Sequence, residues 1–215
     1  MNFLPTIRQI TTKDELSTFS KMYFSCSGLP IPEEYMHNEA NRVFAIYWRN
    51  KLIGGFILGR DINFRTIEFF ARPEKQASVV SQLRELSKYT EITCFWINKR
   101  YRTNTFLNIF VWLSMTYALR MYGTEYFLFG TCSRSLARLY GQTSKSIQIH
   151  RDRINNKSTF IFKAHRSSCV TGMFEIISHK LKRTINTIEP PKAFTKFSKI
   201  MGEMLQSISI SHSPN

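Results

Sequence analysis

The chain has 215 residues, of which 43% are hydrophobic and 18 are phenylalanine, and its formal net charge is +15. This length and apolar content exclude a disordered chain and predict one large domain, or one domain with an appendage. The 4 cysteines form no C-x-x-C pair and no apolar run reaches the ~18 residues of a membrane span, which favours a soluble, cytoplasmic protein without a zinc site.

The positive charge is concentrated in the middle of the chain. Residues 98–166 carry 12 Lys and Arg against 2 Asp and Glu. Such a field attracts phosphate-bearing small molecules, an acidic protein, anionic lipid or nucleic acid. Charge alone does not choose among these partners, and a solubilising face is the plain alternative.

The first 60 residues contain a helix start and a hairpin. Thr12 and Glu15 have the spacing of a capping box, which predicts the first turn of a helix. Residues 42–60 indicate two strands joined at Arg49-Asn50-Lys51. Gly54-Gly55, inside the second strand, predicts a bulge or the close approach of another group.

The next segments alternate between strand and helix patterns. Phe64–Phe70 indicates a strand, and Pro73–Lys88 indicates a helix with a proline near its start. A short apolar strand, Ile92–Ile97, leads into a basic loop. A long helix over residues 104–122 follows, and its nearly uniform apolar surface predicts that it is buried.

The later segments continue this alternation. A strand over Tyr126–Phe129 precedes a short helix, Ser133–Tyr140, which we expect to break at Gly141. Residues 145–165 indicate two final strands with Asn155-Asn156 in their turn. Beyond them, residues 166–215 show helical spacing interrupted by two prolines.

The basic loop between the strand Ile92–Ile97 and the long helix is a candidate anion site. It carries Lys99, Arg100 and Arg102 within four residues. A helix N-terminus offers unpaired N–H groups and a partial positive charge. We therefore expect residues 100–105 to bind phosphate groups.

This order of elements, over about residues 42–165, resembles the core of the GCN5-related N-acetyltransferase (GNAT) superfamily. In that family a strand leads into a loop of pattern R/Q-x-x-G-x-G/A, which binds the pyrophosphate of coenzyme A. The corresponding residues here are Arg100, Tyr101, Arg102, Thr103, Asn104 and Thr105. Both loop glycines are replaced by threonine, a stiffer residue that limits close approach of the backbone to a phosphate.

The resemblance also implies catalytic roles. The family places an Asn near the coenzyme, where this chain has Ser133, and then a Leu-Tyr pair, here Leu139-Tyr140. Tyr140 would protonate the leaving thiolate; the structural alternative is a ring packed under the sheet. Glu68 and Glu91 are the candidates, by position, for the base that deprotonates an amine; the alternative for both is a surface carboxylate at a strand end.

A further set of acidic residues follows the first helix. In GNAT-like folds that helix and the loop after it shape the acceptor site. Glu33, Glu34 and Glu39 stand just beyond the loop here and would suit an amine. The alternative is an exposed acidic turn at a helix start.

The resemblance implies an α/β (α+β) fold with a mixed, mostly antiparallel twisted sheet of six or seven strands and helices on both faces. Residues 1–165 would form the acyltransferase domain, and residues 166–215 a basic helical extension that packs on the core, forms a homodimer or lies on a membrane.

The implied activity is transfer of an acyl group from acyl-CoA or an acyl-carrier protein to an amine, on a small molecule or a protein, by direct attack and without a metal. The missing glycines and the basic surface make an acidic carrier protein plausible as the donor, beside acyl-CoA. The alternative is a catalytically degenerate module that binds nucleic acid or an anionic membrane.

Overall fold

The computed structural model describes residues 4–143 and 146–169, together with positions 171, 172, 175 and 178. Its strands are β1 (Thr6–Ile10), β2 (Asn41–Trp48), β3 (Lys51–Gly59), β4 (Tyr89–Ile97), β5 (Tyr126–Thr131), β6 (Ile147–Ile154) and β7 (Lys157–His165). Its helices are α1 (Lys13–Ser27), α2 (Glu33–His37), α3 (Arg65–Phe70), α4 (Pro73–Val80), α5 (Thr105–Tyr122) and α6 (Arg134–Thr143). Most of the predicted C-terminal extension lies outside these residues, and the boundary at residue 165 stays a prediction.

The seven strands form one sheet in the order β1-β2-β3-β4-β5-β7-β6. Neighbouring strands run antiparallel except β4 and β5, which are parallel and are connected through α5. The predicted mixed, mostly antiparallel sheet is therefore confirmed. Among the described residues, no helix combines the length and the hydropathy that a bilayer span requires.

Helices cover both faces of the sheet, as predicted. On one face, α5 and α6 pack on alternate strand residues such as Phe56 and Phe162, which are almost fully buried. On the other face, Phe19 of α1 packs near Ile57 of β3. Helices α3 and α4 cover the far half of that second face. The alternation of strand side chains between two apolar layers explains why the central strands are apolar throughout.

Local sequence signals set several boundaries. The Thr12 hydroxyl accepts a hydrogen bond from the Glu15 N–H (3.4 Å) and donates to its carboxylate (2.9 Å), so the predicted helix start is confirmed. Arg49 and Asn50 have φ values of 50° and 59°, and Asn155 and Asn156 have 48° and 61°. Two consecutive left-handed residues make the tight turn that suits the twist of a hairpin, so both predicted hairpins are confirmed.

Three predicted elements are corrected. Phe64–Phe70 was expected as a strand but forms α3, because a distant carboxylate, that of Glu91, accepts the N–H groups of Arg65 and Thr66. The helix expected to reach Lys88 ends at Val80, and the Gln82 carbonyl instead accepts a hydrogen bond from the side chain of Lys163. Helix α6 continues through Gly141, where a helical glycine costs only ~1 kcal/mol relative to alanine.

Gly55 marks the close approach that the Gly54-Gly55 pair predicted. A Cβ atom there would clash with the Phe44 carbonyl oxygen and would lie 2.5 Å from Cε2 of Phe19. Both neighbours are buried, so neither moves away freely. The glycine therefore lets α1 pack tightly against β3.

We expect Gly55→Ala to lower the free energy of unfolding by about 1–3 kcal/mol, the usual cost of overpacking a core. The matched control is Gly141→Ala, since a Cβ at that helical position meets no atom within 4 Å. The control should be neutral or stabilising by up to ~1 kcal/mol. Urea denaturation measures both, and equal midpoints for the two variants would contradict the packing argument.

Candidate active site

The parallel pairing of β4 and β5 stops partway along the strands. Tyr89–Ile92 pairs with Tyr126–Phe129, whereas β4 continues to Ile97 and β5 to Thr131. The two strands therefore separate at their carboxyl ends, which lie at the same edge of the sheet. In α/β sheets this edge is where ligands bind.

A bulge in β4 stands at the start of this gap. Gly55 of β3 pairs with Trp96 and Ile57 pairs with Thr93, so two β4 residues, Cys94 and Phe95, oppose a single residue of β3. Cys94 has a φ of 50°, a left-handed conformation that is uncommon for residues other than glycine. Bulges redirect side chains and occur often beside active sites. The sequence pattern did not reveal this strained backbone, whose position makes Cys94 a candidate site residue.

A cavity of about 200 Å³ occupies the gap and reaches both faces of the sheet. The β4 bulge and the β5 residues Gly130 and Thr131 form its middle. On the side of α5 and α6 its wall is formed by Trp112, Met115, Leu119, Phe127, Phe129, Leu136 and Tyr140. On the opposite side its wall is formed by Tyr23, Leu29, Arg65, Thr66, Phe69 and Phe70. The cavity thus has an apolar end and an end that carries an arginine.

Glu91 is fully buried beside the cavity. Its carboxylate accepts hydrogen bonds from the hydroxyl of Tyr35 (2.7 Å) and from the N–H groups of Arg65 (3.2 Å) and Thr66 (2.9 Å). Burial raises the pKa of Glu91 above its ordinary value, and these three donors oppose the rise. The Tyr35 hydroxyl also lies 2.9 Å from the Thr93 hydroxyl, and Thr93 lines the cavity. A chain of hydroxyl groups therefore links Glu91 to the cavity.

The structure does not bring Glu68, the second candidate base, to the cavity. It lies on the exposed side of α3 rather than on a strand, and it does not line the cavity. Glu33, Glu34 and Glu39 are also exposed, and Glu33 faces His37 at 3.7 Å. Among the predicted carboxylates in the described chain, Glu91 is the one that connects to the cavity.

Tyr140 lies in the apolar wall of the cavity. Its ring makes edge contacts with Phe129 (4.9 Å between centroids), Phe162 (5.7 Å) and Trp112 (6.1 Å). Burial raises the pKa of Tyr140 above its ordinary value, so the phenol is protonated at neutral pH. The packed ring agrees with the structural alternative, and the role of Tyr140 as a proton donor stays a prediction.

The loop after β4 is held by its own side chains. The Asn98 side chain accepts the N–H of Arg100 (3.1 Å), and the Asn104 side chain accepts the N–H of Leu107 (3.1 Å), which caps α5. Arg102 donates through Nε to the Ile97 carbonyl oxygen (2.9 Å), so its side chain ties the loop to the end of β4. Tyr101 packs against the ring of Trp48. This predicted phosphate loop is therefore preorganised.

Some donors of this loop remain open. Within the described part of the chain, the N–H groups of Thr103, Thr105 and Phe106 have no hydrogen-bond acceptor. The Arg100 side chain is exposed. Three open N–H groups at the start of an 18-residue helix suit an anion. Ser133, the other predicted coenzyme contact, caps α6 by accepting the N–H of Leu136 (3.3 Å) and does not line the cavity.

Several solved structures are similar to this chain in fold. The acyl-homoserine lactone synthase LasI matches with a TM-score of 0.59 at 8% identity, covering 80% of this chain and 94% of that one. FeeM, an N-acyl amino acid synthase from uncultured soil microbes, matches with a TM-score of 0.58 at 12% identity, covering 77% and 93%. The ribosomal-protein-S18-alanine N-acetyltransferase from Escherichia coli matches with a TM-score of 0.53 at 10% identity, covering 75% and 94%.

The chain has the GNAT fold. No protein-family model matches the sequence, and no curated protein matches it either. Because the sequence identities are low, the structural similarity establishes the fold but not the reaction. The sequence did not indicate Arg65, Tyr35 or the Cys94 bulge as parts of the site. The position of each depends on contacts between segments that are far apart in the chain.

We expect Glu91→Gln to lower the free energy of unfolding by about 1–3 kcal/mol, because an amide NH₂ replaces one of the two oxygens that accept buried donors. Glu68→Gln is the matched control, an exposed carboxylate on the adjacent helix, and should change stability by less than ~0.5 kcal/mol. Thermal and urea unfolding of both variants measure the difference. Equal stability of the two variants would show that Glu91 does not hold α3.

Proposed function

We propose that the protein is an N-acyltransferase that moves an acyl group from a thioester donor, acyl-CoA or an acyl-carrier protein, to an amine. The observation that carries the proposal is the cavity in the β4–β5 gap, bounded by the strained bulge. A helix start with open N–H groups follows the same strand, β4, in the chain. The fold supports it, since the similar structures named above are described as acyl-transferring enzymes.

The donor binds along the separated ends of β4 and β5. Its phosphates lie on the N–H groups of Thr103, Thr105 and Phe106, with the Arg100 guanidinium beside them. The thioester enters the gap, and its carbonyl lies beside the bulge at Thr93 and Cys94. Holding the carbonyl there, next to the acceptor, converts a collision in solution into a reaction within one complex.

The reaction proceeds by direct attack. The amine nitrogen forms a bond to the thioester carbon, the carbon–sulfur bond breaks, and the sulfur leaves as a thiolate. The amine proton passes through the hydroxyls of Thr93 and Tyr35 to Glu91, whose burial makes it a better base than an exposed carboxylate. Tyr140 returns a proton to sulfur, a step that matters modestly because a thiolate is already a stable leaving group.

The acyl group of the donor is longer than acetyl. A dry apolar cavity of about 150 Å³ accommodates a benzene molecule, and the present cavity is about 200 Å³. Its α5–α6 side is lined by aromatic and aliphatic side chains, Trp112, Met115 and Phe129 among them. Such a wall favours an alkyl chain, which gains ~0.8 kcal/mol for each buried methylene.

Exposed cations follow the carboxyl ends of both strands that border the gap. Lys99 and Arg100 come after β4, and Arg134 and Arg138 come after β5. These charges suit the phosphates of coenzyme A and also an acidic carrier protein. A cavity of about 200 Å³ lined largely by apolar side chains favours a small-molecule or acyl-chain ligand over a nucleic acid or a membrane surface.

We expect Arg100→Glu to weaken coenzyme A binding by about tenfold or more, because a charge-assisted hydrogen bond is worth ~1.5–3 kcal/mol. Arg84→Glu changes the net charge equally at an exposed site after α4 and should bind coenzyme A like the wild type. Titration calorimetry at fixed ionic strength measures both. If the two variants bind equally well, the loop is not the phosphate site.

We expect Met115→Trp to shorten the range of acyl chains that are accepted, because Met115 lines the apolar end of the cavity. Turnover should fall with long-chain acyl-CoA and hold with the shortest donors. Met121→Trp is the control, the same substitution at an exposed position of the same helix. Thiol release, measured with a series of donors of increasing acyl-chain length, distinguishes the two variants. If both variants show the same dependence on chain length, the acyl chain binds elsewhere.

A further inference from the structure

Arg65 is a buried cation in the wall of the cavity. It is the first residue of α3, its relative exposure is 7%, and it lies on the side opposite the apolar acyl end. One guanidinium nitrogen, Nη2, donates to the Pro30 carbonyl oxygen at 2.7 Å. Arginine offers five N–H donors in a planar fork, so this bond leaves donors available.

No carboxylate within the described ranges forms an ion pair with Arg65. The nearest acid, Glu91, accepts the backbone N–H of Arg65 at 3.2 Å and not a guanidinium N–H. The ring centroids of Phe69 and Tyr35 lie 4.4 Å and 5.4 Å from the guanidinium carbon. These cation–π contacts stabilise the buried positive charge in part. A buried charge without an anionic partner is costly, and binding sites are where such a cost is tolerated.

The Arg65 charge lies close to the β4 bulge. Burial raises the pKa of Cys94 to about 11, and the positive charge of Arg65 opposes that rise. Cys94, Thr93 and Arg65 all line the same cavity. An acceptor nitrogen at the bulge and a negative group at Arg65 therefore fit within one small molecule.

We propose that Arg65 binds the carboxylate of the acceptor, and that the acceptor is an amino acid or a similar small amine that carries a carboxylate. The planar fork of arginine matches a carboxylate in a bidentate geometry. Glu33, Glu34 and Glu39 are exposed, and their expected attraction of the amine stays a separate prediction. The inference rests on the proposed N-acyltransferase function.

The experiment compares amino acids with the amines that lack only the carboxylate, for instance leucine with 3-methylbutylamine, with one acyl-CoA as donor. The wild type should acylate the amino acids with the higher kcat/KM. Arg65→Met should lower kcat/KM for the amino acids by about 10–100-fold, mainly through KM, and leave the plain amines nearly unchanged. Comparing the ratio in variant and wild type cancels the different basicity of the two amines.

The control variant is Arg42→Met, an arginine stacked on the ring of Tyr122 that does not line the cavity. It should keep the wild-type preference. If Arg65→Met does not fold, Arg65→Lys tests the same point, because it keeps the charge but loses the fork and should raise KM for the amino acids alone.

The outcomes separate the two proposals. Equal kcat/KM for an amino acid and its plain amine in the wild type, or an unchanged ratio in Arg65→Met or Arg65→Lys, overturns the role of Arg65 while acyl transfer stands. Transfer to neither kind of amine, with the thioester left intact, overturns the proposed function and this inference with it.

Discussion

Strand β4 contains a bulge, in which two of its residues, Cys94 and Phe95, face a single residue of the neighbouring strand β3. The strand has to bend there, and its pairing with β5 has already ended at Ile92 and Phe129. The sheet therefore opens in its middle, and helices on both faces contribute side chains to the opening. The cavity, its apolar end and its arginine all depend on this opening.

Glu91 connects that opening to the rest of the fold. Its buried carboxylate holds the first turn of α3, and through it the position of Arg65, while the hydroxyl of Tyr35 joins the same carboxylate to Thr93. The residue proposed as the base thus also has a structural role. Its substitution will therefore lower stability, and the activity of a Glu91 variant has to be compared with its stability.

Much of the fold could be predicted from local patterns. Both hairpins, the capping box at Thr12 and the long helix capped by Asn104 follow from turn chemistry and hydrophobic period, which act within a few residues. The order of these elements was enough to predict the GNAT fold. The element α3 was predicted wrongly because Phe64–Phe70 is short and apolar, and its conformation is decided by a carboxylate about 25 residues away.

The candidate site was less accessible from the sequence. The loop at Arg100 could be proposed from the sequence because a basic cluster before a helix is a local signal. Arg65 looked like a residue within a strand, and nothing in its neighbourhood marked it as a buried charge. No local sequence pattern marks the bulge at Cys94. The Gly54-Gly55 pair, which lies on the neighbouring strand β3, was the one sequence feature that indicated an irregularity in this part of the sheet.

The central claim is that the β4–β5 gap is the place where the thioester reacts. A crystal structure with a non-cleavable thioether analogue of a medium-chain acyl-CoA tests it most directly. The account predicts the sulfur in the gap beside Thr93 and Cys94, the alkyl chain between Trp112 and Phe129, and the phosphates at Thr103–Thr105. Electron density for the analogue on another surface, with the gap empty, would contradict it.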